Sequence, residues 1–136
     1  MRKISSLLPL FGMLLILGLA AMLVAQEKSA AAKETISGTL VDLKCYAAGG
    51  FLTNDHGGMA GCGTACAKGG LPVGLVDENK KVHFLAVPAP AYADLVGQTL
   101  RLTGSHNKSA EVFIPEKLEV KEGDKFVEKK LPKTMM

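Results

Sequence analysis

Four side chains able to bind a metal ion or take part in redox chemistry lie in one short stretch of the chain. They are Cys45, His56, Cys62 and Cys66, and they include all three cysteines among the 136 residues. Thiols and an imidazole gathered in this way indicate a metal site, a disulfide or a thiol-redox site. Glycine pairs in the same stretch give the chain the freedom to wrap around whatever these side chains hold.

The first interpretation is a metal site. Three thiolates and one imidazole form a tetrahedral ligand set that structural zinc uses, and three residues between Cys62 and Cys66 fall within the spacing of zinc sites. A thiolate-rich set also suits Cu(I), to which the nearby Met59 would add a soft donor. We therefore predict that Cys45, His56, Cys62 and Cys66 bind zinc or Cu(I). Haem attachment is not expected, because the sequence contains no CxxCH motif.

Two other interpretations remain open. Cys45 could form a disulfide with Cys62 or Cys66, which would leave one thiol over and make the domain a disulfide-stapled module for a ligand or a protein. Alternatively, Cys62 could attack a substrate disulfide and Cys66 could resolve it, as in a thiol-disulfide protein. The odd number of cysteines favours the metal, and the spacing is not the CxxC of thioredoxin-like enzymes. Binding is thus favoured over catalysis, and no catalytic residue is assigned.

Asp42 stands three residues before Cys45 at the exit of the first predicted strand. It could orient His56 without itself contacting a bound metal ion, or it could be the turn aspartate that ends the strand. Further on, residues 59–68 predict a short helix that would place Cys62 and Cys66 on one face. Glycines within that helix weaken it, so it needs an external tie such as a metal ion or a covalent bond.

The remaining elements predict a mainly β scaffold. Alternating apolar residues, separated by turn residues, indicate five strands with a short helical connector at 88–95 between the third and the fourth. This order fits a small barrel like the oligonucleotide/oligosaccharide-binding (OB) fold, with a plain antiparallel sandwich as the alternative. The predicted strands are 35–43, 71–77, 82–87, 98–105 and 110–121, the last with a kink at Pro115. The domain is expected at 35–122, with a charged tail or edge strand at 123–136. The Cys/His insertion at 44–70 follows the first strand and is expected to consist of a loop, at 46–58, and the short helix.

The N-terminus has the layout of a secretory signal peptide. Arg2 and Lys3 precede an almost unbroken apolar run at 7–24, and Ala25 ends a stretch of small residues. We predict a signal helix at 1–25, a flexible lead-in at 26–34, and a periplasmic or secreted protein. The apolar run is also near the length that spans a bilayer, so an uncleaved N-terminal anchor is the alternative.

Charge narrows the choice of partners. Removal of residues 1–25 would take two positive charges from a formal net charge of only +3. Nucleic-acid binding needs a clustered basic surface and is not expected here. No membrane contact is expected beyond the N-terminal anchor. The partner would be an unidentified protein or a metal-delivery partner.

The order of these motifs resembles a group of small exported bacterial proteins of unassigned function. In that group a Cys/His-bearing segment is inserted after the first strand of an OB-like β-barrel. The resemblance covers roughly residues 35–120 and implies the fold and the export, but no mechanism. It is based on the succession Asp42-x-x-Cys45, His56, Cys62-x3-Cys66, Gly70-x-Pro72 and Val96-Gly-x-x-Leu-Arg-Leu-Thr-Gly104.

Overall fold

The structure is a computed structural model that describes residues 32–132. The predicted signal peptide or anchor, most of the lead-in and the last four residues lie outside this range. Among the described residues, no helix has both the length and the apolar character needed to cross a membrane. The elements in chain order are β1 Lys33–Asp42, α1 Leu43–Gly49, α2 Cys62–Lys68, β2 Val73–Val76, β3 Val82–Leu85, α3 Ala89–Tyr92, a 3₁₀ turn Ala93–Leu95, β4 Thr99–Asn107, β5 Val112–Glu122 and β6 Lys125–Lys129.

All six strands belong to one sheet in the order β3-β2-β1-β4-β5-β6. Neighbours in this order are antiparallel, and a further parallel pairing joins β3 to the start of β5. This extra pairing turns the sheet back on itself into a ring. The predicted predominance of β-structure is confirmed, and so is the helical connector between the third and fourth strands.

One core fills the inside of the ring. Along β4, buried and half-buried positions alternate, as a strand with one face against a core requires. α2 contributes Ala67 to this core, and the connector contributes Tyr92, so both helical segments are packed onto the sheet. The largest fully buried side chains of the core include Leu40, Leu75, Tyr92, Leu100, Leu102, Phe113 and Leu118.

The structure adds a sixth strand to the five predicted ones, because residues after Gly123 turn back and pair with β5. Of the two expectations for 123–136, a tail or an edge strand, the edge strand is confirmed. The Arg101 guanidinium lies 3.7 Å from the centre of the Phe126 ring, a cation–π contact that holds this strand against the sheet. In addition, Cys45 begins no loop: it lies in helix α1, which Asp42 caps and Gly50 ends in a left-handed conformation.

The Cys/His segment is the connection between β1 and β2. Its two ends are joined by a hydrogen bond of 2.9 Å from the Leu43 N–H to the Pro72 carbonyl. The segment therefore leaves and re-enters the sheet at nearly the same point. α1 and α2 are thereby brought together at one end of the ring.

Candidate metal centre

Helix α1 positions Cys45. The buried Asp42 accepts the Cys45 N–H at 2.9 Å, so its carboxylate caps the helix as it ends the strand. This is the turn role considered for Asp42 from the sequence. Since the cap acts on Cys45 itself, the direction of strand β1 determines where this thiol lies.

Helix α2 positions the other two thiols, and a residue of the preceding loop ties it down. Its own N-cap, Gly61, supplies no side-chain hydrogen bond. Asn54 supplies it instead: its carbonyl accepts the Gly63 N–H at 3.0 Å, and its Oδ1 accepts the Thr64 N–H at 2.8 Å and the Thr64 hydroxyl at 3.1 Å. The external tie that the glycine-rich helix requires thus exists without a metal ion. No local pattern in the sequence marks Asn54 as this cap, because it stands ten residues before Thr64.

The three thiols converge. The sulfur atoms of Cys45, Cys62 and Cys66 all lie within 4.8 Å of one another, and all three side chains are half-buried. They are free thiols, not disulfides. Cys62 and Cys66 stand one helical turn apart, where Cβ atoms are about 5–6 Å apart, whereas a disulfide needs roughly 3.5–4.5 Å. Helix α2 would have to distort to form that bond, so its geometry favours two separate ligands.

The spacing of the sulfurs fits a shared metal ion. With a Zn–S bond of about 2.3 Å, two thiolates at tetrahedral angles lie about 3.8 Å apart. Thiols already within 4.8 Å of one another need to approach by no more than about 1 Å. Changes of side-chain rotamer can supply a movement of that size, with no change in the backbone.

Burial raises the pKa of the Cys45 thiol from 9.0 to about 12, and the neighbouring Asp42 carboxylate and Cys66 thiol raise it further in the same direction. The metal-free protein therefore keeps a proton on Cys45 at neutral pH. A metal ion must displace this proton, since the thiolate is the ligand.

His56 has one ring nitrogen held by the backbone and the other without a hydrogen-bond partner among the described residues. Its Nδ1 lies 3.0 Å from the Thr53 carbonyl, which can only accept, so in the neutral ring Nδ1 donates and Nε2 carries the lone pair. Nε2 is buried and has no hydrogen-bond partner among the described residues. The ring is stacked on Phe51, with centroids 4.7 Å apart and planes 9° from parallel. Metal-binding histidines usually have their other nitrogen held in this way.

The candidate ligands form two groups that share Cys45. One is the three thiols; the other is Asp42, Cys45 and His56, whose ligand atoms also lie within 4.8 Å of one another. Within residues 32–132, no group at that distance contains His56 together with all three thiols. His56 therefore stands on the Asp42 side of Cys45, and a fourfold site requires the ion to draw these side chains together.

A groove of about 940 Å³ lies between strand β1 and the β2–β3 turn, and Tyr46 of helix α1 is among the residues that line it. It contains a pair formed by His83 Nε2 and an Asp77 carboxylate oxygen at 3.1 Å. The backbone N–H of Lys81, and then His83, lower the pKa of Asp77. Because Asp77 also accepts the Asn79 N–H, the pair holds the turn together.

Comparison with protein families, with characterised proteins and with solved structures finds no match to this chain. The chemistry of the site is therefore inferred from its geometry alone.

Proposed function

We propose that this protein is an exported metal-binding domain that holds one soft metal ion through Cys45, Cys62 and Cys66, with His56 as the fourth ligand. The convergence of the three free thiols within 4.8 Å is the main support. The buried Nε2 of His56 adds to it, because an unpartnered lone pair in such a place is costly unless something binds it. Zinc and Cu(I) both accept such a ligand set.

The proposed scaffold is an OB-like barrel. The ring order β1-β2-β3-β5-β4 and the helical connector between β3 and β4 support this assignment. The site lies in the connection between the first two strands, which is one of the two loops that bind ligands in OB folds. Export is supported by the N-terminal signal pattern and by the resemblance to small exported bacterial proteins.

The competing proposal of a thiol-disulfide protein is weaker. Cys62 and Cys66 lie on one helical face at a distance that a disulfide does not favour. Binding of an ion uses the same two thiols without distorting the helix. The protein is therefore proposed as a metal-holding or metal-delivering domain and not as an enzyme.

The test is a metal and thiol analysis of the purified chain. We expect one bound ion per chain and three titratable thiols after denaturation with a chelator. Cys62→Ser should abolish retention of the ion. Ala65→Ser is the matched control, because it adds the same serine to the exposed face of the same helix and should retain the ion.

Two results would overturn this proposal. One is a chain that binds no metal after reconstitution with zinc and with Cu(I). The other is equal retention by Cys62→Ser and Ala65→Ser, which would mean that any bound ion lies elsewhere.

A further inference from the structure

The loop that contains His56 ends in a tight hairpin. The His56 N–H donates to the Met59 carbonyl at 3.3 Å, and the Met59 N–H donates to the His56 carbonyl at 3.1 Å. Gly57 and Gly58 connect them with φ angles of 61° and 76°, both left-handed, as in a two-residue type I′ turn. Glycine is needed at both positions, since other residues rarely adopt these angles.

This pairing determines where the Met59 side chain lies. Residues directly opposite each other in an antiparallel pair project to the same face, with Cβ atoms about 4.5–5.5 Å apart. The Met59 thioether therefore lies on the same face of the hairpin as the His56 ring. A methionine side chain is long and flexible enough for its sulfur to reach an ion bound by that ring.

Packing does not explain Met59. Its side chain is 59% exposed and lies outside the hydrophobic core. It is also the one methionine between residues 23 and 134. A buried methionine would fill a gap in the core, but Met59 is exposed and stands opposite His56, whose Nε2 has no hydrogen-bond partner among the described residues.

The thioether sulfur of Met59 indicates which metal ion the site would bind. Zinc sites in proteins use thiolate, imidazole and carboxylate ligands, whereas thioether sulfur together with thiolate selects Cu(I). Resting on the proposed metal-binding function, we propose that the ion is Cu(I) and that Met59 is an additional ligand on the solvent side, where Cu(I) enters and leaves. Only ligands are exchanged: each thiol that binds releases its proton to water, and copper stays in the same oxidation state.

The first experiment measures affinity with Met59→Leu, which keeps the apolar bulk and removes the sulfur. Cu(I) affinity is measured anaerobically by competition with bicinchoninate, and zinc affinity by competition with a chromophoric zinc chelator. The Cu(I) affinity should fall roughly tenfold, the change produced by about 1.4 kcal/mol of ligand binding. The zinc affinity should stay unchanged, which also shows that the variant is folded.

The second experiment observes the sulfur itself. Ag(I) is added as a redox-stable substitute for Cu(I) to a chain with ¹³C-labelled methionine methyl groups. The methyl signal that Met59→Leu removes belongs to Met59. It should shift on addition of one equivalent of Ag(I), while the signals of the other methionines serve as internal references.

The outcomes separate the two proposals. If the wild-type chain binds neither zinc nor Cu(I), the proposed function fails and this inference fails with it. If the wild-type chain binds metal but the Met59 signal stays in place and Met59→Leu keeps its full Cu(I) affinity, only the inference about copper and Met59 is overturned.

Discussion

Asn54 is expected to position the thiols without touching the metal ion. Its Oδ1 accepts both the N–H and the hydroxyl of Thr64 in the first turn of α2, the turn that begins at Cys62. Asn54→Ala removes this acceptor. The Thr64 hydroxyl keeps a second acceptor, the Ala93 carbonyl at 3.1 Å, so the Thr64 N–H is the group left without a partner.

The magnitude follows from one lost helix cap. Such a loss costs about 1 kcal/mol, which is the expected decrease in the free energy of unfolding of the metal-free protein. If the ion has to order the frayed first turn as it binds, the same 1 kcal/mol is lost from binding, or about fivefold in affinity. Urea denaturation gives the stability, and competition with a chromophoric chelator gives the affinity.

The matched control is Asn107→Ala. The Asn107 Oδ1 also accepts two N–H groups, from Ser109 and Ala110, both at 3.0 Å, in the turn after β4. This variant should lose stability but keep its metal affinity, because that turn contains no ligand. Equal metal affinities for Asn54→Ala and Asn107→Ala would refute the role of Asn54 in positioning the thiols.

Two further predictions concern buried groups. The folded protein keeps the Cys45 proton that the unfolded chain releases near pH 9.0, so the free energy of unfolding of the metal-free protein should fall as the pH rises from 9.0 towards 12, and metal affinity should rise with pH. In Cys45→Ser the free energy of unfolding should no longer fall over this pH range. An equally steep fall in the variant would contradict the raised pKa of Cys45. The hydroxyl of Tyr92 is buried without a hydrogen-bond partner among the described residues, and burial raises its pKa to about 12. Tyr92→Phe should therefore raise the free energy of unfolding at pH 7 by about 1 kcal/mol in urea denaturation, and a large loss of stability would show that the hydroxyl is bonded.

Local patterns in the sequence were sufficient for most of the scaffold. The alternation in β4 and the turn residues around β2 and β3 reflect which face of each strand meets the core, and this information is local. The sequence of residues 123–136 fits both a charged tail and an edge strand. The place of the sixth strand depends on Arg101 of a distant strand stacking on Phe126, which no pattern within 123–136 shows.

In the candidate site, too, local features could be predicted from the sequence and contacts between distant residues could not. The one-turn spacing of Cys62 and Cys66 was enough to predict a shared helical face, and helix α2 confirms that face. Helix α1 was missed because two glycines end its sequence, although Asp42 at its start is a good cap. The proximity of His56 to Asp42 and Cys45 depends on how the loop folds, and the spacing of these residues along the chain does not show it.

The extra pairing of β3 with β5 closes the scaffold on itself, and none of the candidate ligands belongs to the apolar interior that this closure seals. If the proposed ion binds here, only the β1–β2 connection has to reorganise when the ion enters or leaves, and the closed scaffold should stay folded without it. A zinc finger differs, because its chain unfolds when the metal is removed.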